Sequence, residues 1–165
     1  MSDAFDRLFS HVSKTIQAPS TGTLTAYPRL NGNRFTDVDA GGGVRGELEE
    51  YLGQSRVFEL ALEAVSIAPL RMGGPVTTAY SLAFPVRVRY DAPNNSESRT
   101  ILREITEDIT AIIDAIERSQ WYTVSGLATL QATPGNITRF TLSDEADNTH
   151  TGYIGAVQVT ASIDI

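Results

Sequence analysis

Between Ala79 and Tyr90 the side chains alternate without a break. Tyr80, Leu82, Phe84, Val86, Val88 and Tyr90 fall on one face, and Ala79, Ser81, Ala83, Pro85, Arg87 and Arg89 on the other. A period of two marks a strand with one buried face. Extended at about 3.3 Å per residue, Thr77 to Tyr90 would reach roughly 46 Å. A chain of 165 residues folds to a diameter of roughly 40 Å. The strand is therefore expected either to break at Pro85, which lacks a ladder donor, or to project past its own domain.

The strand before it sets a register. Phe58, Leu60 and Leu62 alternate with Val57, Glu59, Ala61 and Glu63, and Arg71-Met72-Gly73-Gly74-Pro75 ends the run. A hairpin centred near Gly73 pairs Leu60 with Val86 and Leu62 with Phe84, and sets Glu59 opposite Arg87. Opposite charges favour that register over a one-residue slip. A projecting edge invites pairing with a second copy. Glu59, Arg87 and Arg89, on the outer face, are accordingly the expected subunit contacts.

Two helices are legible. Ala4, Leu8, Phe9, Val12 and Ile16 form one stripe over Asp3 to Gln17, closed by Pro19. Ile101, Leu102, Ile105, Ile109, Ile112, Ile113 and Ile116 form the other, over Ser98 to Ser119, with Arg103, Glu104, Glu107, Asp108, Asp114 and Glu117 expected on the wet side. Isoleucine is a mediocre helix former, so packing against a sheet must hold this helix. Three further strands are expected: Trp121–Leu130, Ile137–Leu142 and Tyr153–Ile165. Thr133-Pro134-Gly135-Asn136 and a polar run, 144–152, should separate them. The order predicts an α+β fold with a mostly antiparallel sheet and a long projecting hairpin, packed by the two helices.

One domain, residues 1–165, accounts for this length. Residues 20–54 read as an irregular, loop-rich insertion, with short strands possible at 24–30 and 34–38. The net charge is -7 and cysteine is absent. That excludes thiol chemistry and disulfides, and argues against affinity driven by nucleic-acid phosphates, which needs clustered Lys and Arg. No apolar run approaches a membrane span, and the N-terminus lacks the basic and apolar regions of an export signal, so a cytoplasmic site of assembly is expected. Of the cationic side chains, 12 are Arg and one is Lys. Arg is favoured at protein interfaces, but these arginines are spread along the chain and read first as the codon bias of a GC-rich genome, with Arg87 and Arg89, adjacent on one face, the exception.

Motifs with chemical content are weak. Gly41, Gly43 and Gly46 match a dinucleotide-binding spacing, but no buried strand precedes them and acids follow where a phosphate would sit. No cofactor is expected. Asp144, Glu145, Asp147 and Asn148 cluster, yet lack the spacing of a calcium loop. His11 and His150 belong to no metal-spaced pair, and no catalytic residue is expected. Asn94-Asn95-Ser96 and Asn136-Ile137-Thr138 match the glycosylation pattern, which without secretion reads only as loop.

A short N-terminal helix, an irregular segment, a long strand ending FPVRVRYDAP, one long helix RTILREITEDITAIIDAIERS and closing strands ending YIGAVQVTASIDI together resemble the tail terminator (tail completion) proteins of long-tailed bacteriophages. The resemblance covers the first helix and most of the chain from Arg56 onward, and rests on element order. It implies a homohexameric ring in the virion, at the head-proximal end of the tail tube, that stops tube growth and meets the head connector. DNA would pass through the pore without specific binding, which suits an acidic chain. It places Asp39, Gly41, Gly42, Gly43, Arg45, Asp144, Glu145, Asp147 and His150 in loops facing the tube or connector. Related head–tail joining and tube proteins share similar folds. Two other classes stay open: a small-ligand-binding α+β domain with a pocket between helix and sheet, and an enzyme built on His150 and its acidic neighbours.

Overall fold

The computed structural model describes residues 2–17, 36–37, 56–61, 65–69, 79–92, 98–123, 126–143, 146 and 148–164. Helix α1 spans Ser2–Gln17 and helix α2 spans Ser98–Arg118. The strands are β1 (Thr36–Asp37), β2 (Val57–Leu60), β3 (Ser66–Pro69), β4 (Ala79–Asp91), β5 (Trp121–Thr123), β6 (Gly126–Ala128), β7 (Leu130–Ser143) and β8 (Thr149–Asp164). One sheet runs in the order β1-β2-β4-β8-β7, with β3 also paired to β4, while β5 and β6 form a separate two-stranded ribbon. Only the β1–β2 pair is parallel among the described strands. The fold is α+β, as the element order predicts.

The alternation in β4 builds the core. Tyr80, Leu82, Phe84, Val86, Val88 and Tyr90 face the helices, and from Leu82 to Tyr90 each of them is buried. Their neighbours on β8 are Ile163, Ala161, Val159, Val157, Gly155 and Tyr153. Leu8, Val12 and Ile16 of α1 and Ile101, Ile105, Ile109, Ile112 and Ile116 of α2 close this layer. Each large side chain fully buried there contributes about 1.5–3 kcal/mol over exposure. Phe9 meets Phe84 edge-on at 5.3 Å between ring centroids. At Gly155 a Cβ would stand 3.0 Å from both Ile105 and Ile109. The missing side chain is what lets α2 seat directly on the sheet.

The expected hairpin register holds: Leu60 pairs with Val86 and Glu59 with Arg87. Leu62 lies outside the described residues. The expected projecting arm does not hold. Strand β8 pairs with β4 at every residue from Ala79 to Asp91, and β2 and β3 cover its other edge, so β4 is the middle of the sheet. Pro85 does not break it. The register along its outer edge jumps from Leu60↔Val86 to Ser66↔Ala83. The Pro85 carbonyl accepts from the Ala61 amide at 2.9 Å. A residue's N and O point the same way in an antiparallel ladder, so the missing Pro85 donor faces this outer edge, where pairing is interrupted, and costs no bond to β8.

The final strands also differ from expectation. Residues 121–130 split into the β5–β6 ribbon and the start of β7, and residues 133–136 lie within β7 instead of ending a strand. The ladder absorbs Pro134 and Gly135 by a register shift between Pro134 and Ile137. Strand β8 begins at Thr149 and has a partner strand on each side. The β7–β8 pair continues three residues beyond the end of β4, from Thr151↔Thr141 to Thr149↔Ser143, an overhang of about 10 Å. It is this hairpin that extends past its neighbours.

Candidate functional site

A charged network bridges sheet and helix. Arg56, just before β2, has φ 60°, a left-handed conformation that is uncommon for a residue bearing a side chain. Its amide donates to the Arg89 carbonyl at 2.7 Å. Its Nε donates to Asp108 Oδ2 at 2.8 Å and its Nη2 to Glu104 Oε1. The Tyr90 hydroxyl donates to the same Asp108 oxygen at 2.9 Å. Asp108 is 1% exposed. Burial raises its pKa, against the pull of Arg56 and the two hydrogen bonds. Burial and then the Asp108 charge raise Tyr90 well above the ordinary phenol. Arg56 stays firmly cationic: burial works against its charge, and Asp108 and Glu104 outweigh it.

Asp108 was expected on the wet side of α2. It instead lies between Ile105 and Ile112, three residues after one and four before the other, on the line that faces the sheet. Leu102 departs the other way and is exposed. The network joins β4 to α2, with Asp108 and Tyr90 at its buried end, so its role is to fix that seam.

The three expected interface residues occupy the sheet face away from the helices. Arg87 donates to Glu59 Oε1 at 2.9 Å, the cross-strand pair the register demands. Glu59 is buried and Arg87 partly so. Arg89 is 0% exposed. It stands between Val57 and Ile154 in the ladder, with its guanidinium 5.1 Å from the Phe140 ring centroid and 3.7 Å from Asp91. Its surroundings lie within its own chain, so it is not the exposed contact the alternation suggested. Phe140 covers it because the β7 bulge turns that ring to this face, a shift that no local pattern encodes. Gly152 is required here: an added Cβ would lie 2.6 Å from the Tyr90 carbonyl and closer still to the Phe140 ring.

His150 lies in β8, opposite Leu142, and not in a loop. Asp39, Gly41, Gly42, Gly43, Arg45, Asp144, Glu145 and Asp147 lie outside the described residues.

A second polar cluster gathers on α1. His11 Nε2 is 2.9 Å from Ser119 Oγ. Ser119 Oγ donates its single proton to the Ile116 carbonyl at 2.6 Å. His11 must therefore be the donor to Ser119, the reverse of a base drawing a proton from a nucleophile. Burial lowers the His11 pKa, which keeps the ring neutral. The ring packs at 5.5 Å on Trp121, whose Nε1 donates to the Ser162 carbonyl at 2.8 Å. Among the described residues no group of three His, Asp or Glu is placed to hold a metal ion, and no helix is long and apolar enough to cross a membrane.

Two edges of the sheet are exposed among the described residues. Strand β7 lies at one end, exposed at every residue from Thr133 to Arg139. Arg139 is its only charged residue. Strand β3 lies on the opposite side of β4; all four of its residues, Ser66–Pro69, are exposed and uncharged, with Ile67 half exposed. Tyr122 and Leu127, a directly opposed pair on the β5–β6 ribbon, are also exposed, Leu127 at 69%. Sequence patterning missed the β7 edge because Pro134-Gly135 reads as a turn.

No family model matches the chain, and no curated protein matches it.

Proposed function

We propose that this chain is a structural subunit that assembles with copies of itself into a ring in a phage tail, as a tail terminator does, and performs no catalysis. The observation that carries this reading is the pair of unlike open flanks on one sheet. Among the described residues, β7 pairs only with β8, and β3 pairs only with β4. Edge strands that must stay alone are usually guarded by charge, especially Lys. Strand β7 has one Arg in fourteen residues, and β3 has no charge. Away from Pro134 and its bulge, β7 offers backbone donors and acceptors to a further strand, and β3 does so before Pro69. Two different patches on opposite flanks make a head-to-tail contact, which closes into a ring when the rotation allows.

The element order that resembles tail terminators agrees with this reading, and the acidic net charge suits a pore that DNA crosses without sticking. Other neck proteins of related fold would use the same contacts, so a place at the tube end rests on the resemblance alone. Tail tubes polymerised with and without the protein test it. The reading predicts protein seated at one end of each tube and arrested growth. Tubes of unchanged length with bare ends would overturn it.

A further inference from the structure

Beside Trp121, α1 borders an open depression of about 560 Å³ lined by Asp6, Arg7, Ser10, His11, Lys14 and Trp121. Arg7 and Lys14 are two helical turns apart, so they project on the same side, about 10 Å from each other. The Arg7 guanidinium lies 5.5 Å from the Trp121 ring centroid, a contact that fixes its plane. Both cations are exposed, and neither has an ion pair among the described residues. Asp6 is the only acid on the rim. The depression therefore carries excess positive charge in a chain with 20 acids and 13 bases.

Asp144, Glu145 and Asp147 put three acids in four residues, as Glu47, Glu49 and Glu50 do, and they follow directly on the end of β7 at Ser143. The described strand residues that flank this run, Ser143 and Thr149, lie far along the sheet from the depression of their own chain. Trp121 is tied to Ser162, whereas the β7–β8 ladder closes at Thr149↔Ser143. Thirteen residues of β8 separate these points, roughly 43 Å of strand. Resting on the ring-subunit reading, we infer that the acidic 144–147 segment of one copy docks in the Arg7–Lys14 depression of the next. Carboxylates meeting a preoriented guanidinium and an ammonium supply charge-assisted hydrogen bonds and fix which end meets which. The described β7–β8 ladder ends at Thr149↔Ser143, three residues beyond β4, and donor and acceptor at opposite ends of β8 make the contact head-to-tail.

Sedimentation of the full chain, with circular dichroism to check folding, tests this by charge reversal. Arg7→Glu with Lys14→Glu should weaken self-association at least tenfold, and so should Asp144→Lys with Glu145→Lys and Asp147→Lys. Lys14→Glu alone, at an exposed side chain outside the Trp121 contact, should weaken it in the same direction if the double variant misfolds. Mixing the two charge-reversed proteins should restore assembly, with the two variants alternating, and all five changes in one chain should restore association as well. Wild-type assembly that ignores either set, or a five-fold variant as weak as its parents, would overturn the docking while leaving the ring reading intact. Loss of tube binding with self-association unchanged would assign the depression to another acidic protein and overturn it as well. A wild-type chain that stays monomeric at every concentration would overturn the ring reading itself.

Discussion

Arg56 and Asp108 meet in a 2.8 Å ion pair that ties the start of β2 to the buried side of α2. The same carboxylate oxygen accepts from Tyr90 on β4, so one acid holds three elements. Removing it leaves the buried Tyr90 phenol without its acceptor and the Arg56 guanidinium with Glu104 alone. Asp108→Ala should cost about 3–5 kcal/mol, the range for breaking one side of a buried pair. Asp108→Asn keeps an acceptor for Tyr90 and should cost less. Urea unfolding with an unchanged slope checks both. A loss below about 1 kcal/mol for Asp108→Ala would contradict the network.

Stability should fall at both ends of the pH range, for separate reasons. His11 is held below its usual 6.5 by burial, so the unfolded chain binds that proton more readily. Stability is then lost as pH falls below about 6.5 toward the folded pKa. His11→Gln should flatten that limb. Tyr90 is raised well above 10, so the unfolded chain ionises first and stability falls as pH climbs past about 10. Asp108, raised above 3.8, adds an opposing slope in acid, where the folded chain holds its proton more tightly. Unfolding free energies measured across pH should resolve the His11 limb by its absence in the variant.

Arg87 and Arg89 should separate sharply despite their spacing. Arg89→Glu buries a carboxylate against Phe140 and should prevent folding, since an unpaired buried charge costs several kcal/mol. Arg87→Ala removes a partly exposed side chain, leaves the buried Glu59 one partner short and should cost about 1–3 kcal/mol. Thermal melts of the two variants check the contrast; equal losses would contradict the different burial.

Gly152→Ala should destabilise by about 1–3 kcal/mol, because its methyl group collides with backbone on one side and the Phe140 ring on the other. Trimming Phe140 as well, in Gly152→Ala with Phe140→Leu, should recover part of the loss. A purely additive double variant would show that the ring is not the obstacle.

The sequence exposed what depends on local periodicity. Strand β4, both helix stripes, the Glu59–Arg87 register and the α+β class follow from periods of 2 and 3.6 and from one charge pair. What it concealed depends on long-range register. Whether β4 lies at an edge or in the middle is decided by β8, more than 60 residues later. Arg89 looked exposed because the ring above it arrives through a bulge in β7. Asp108 was the one legible omission: its place in the Ile105–Ile112 line, together with a core-facing tyrosine in want of an acceptor, marks it as buried. The expected loop contacts at 39–45 fall outside the described residues.

Negative-stain imaging of the purified chain, paired with a variant carrying Thr133→Lys and Thr138→Lys on the exposed β7 edge, tests the central claim most directly. The account predicts closed rings of sister copies for the wild type, and folded, dispersed monomers for the variant. Wild-type protein that forms no rings, or a variant whose rings are indistinguishable from the wild type, would contradict it.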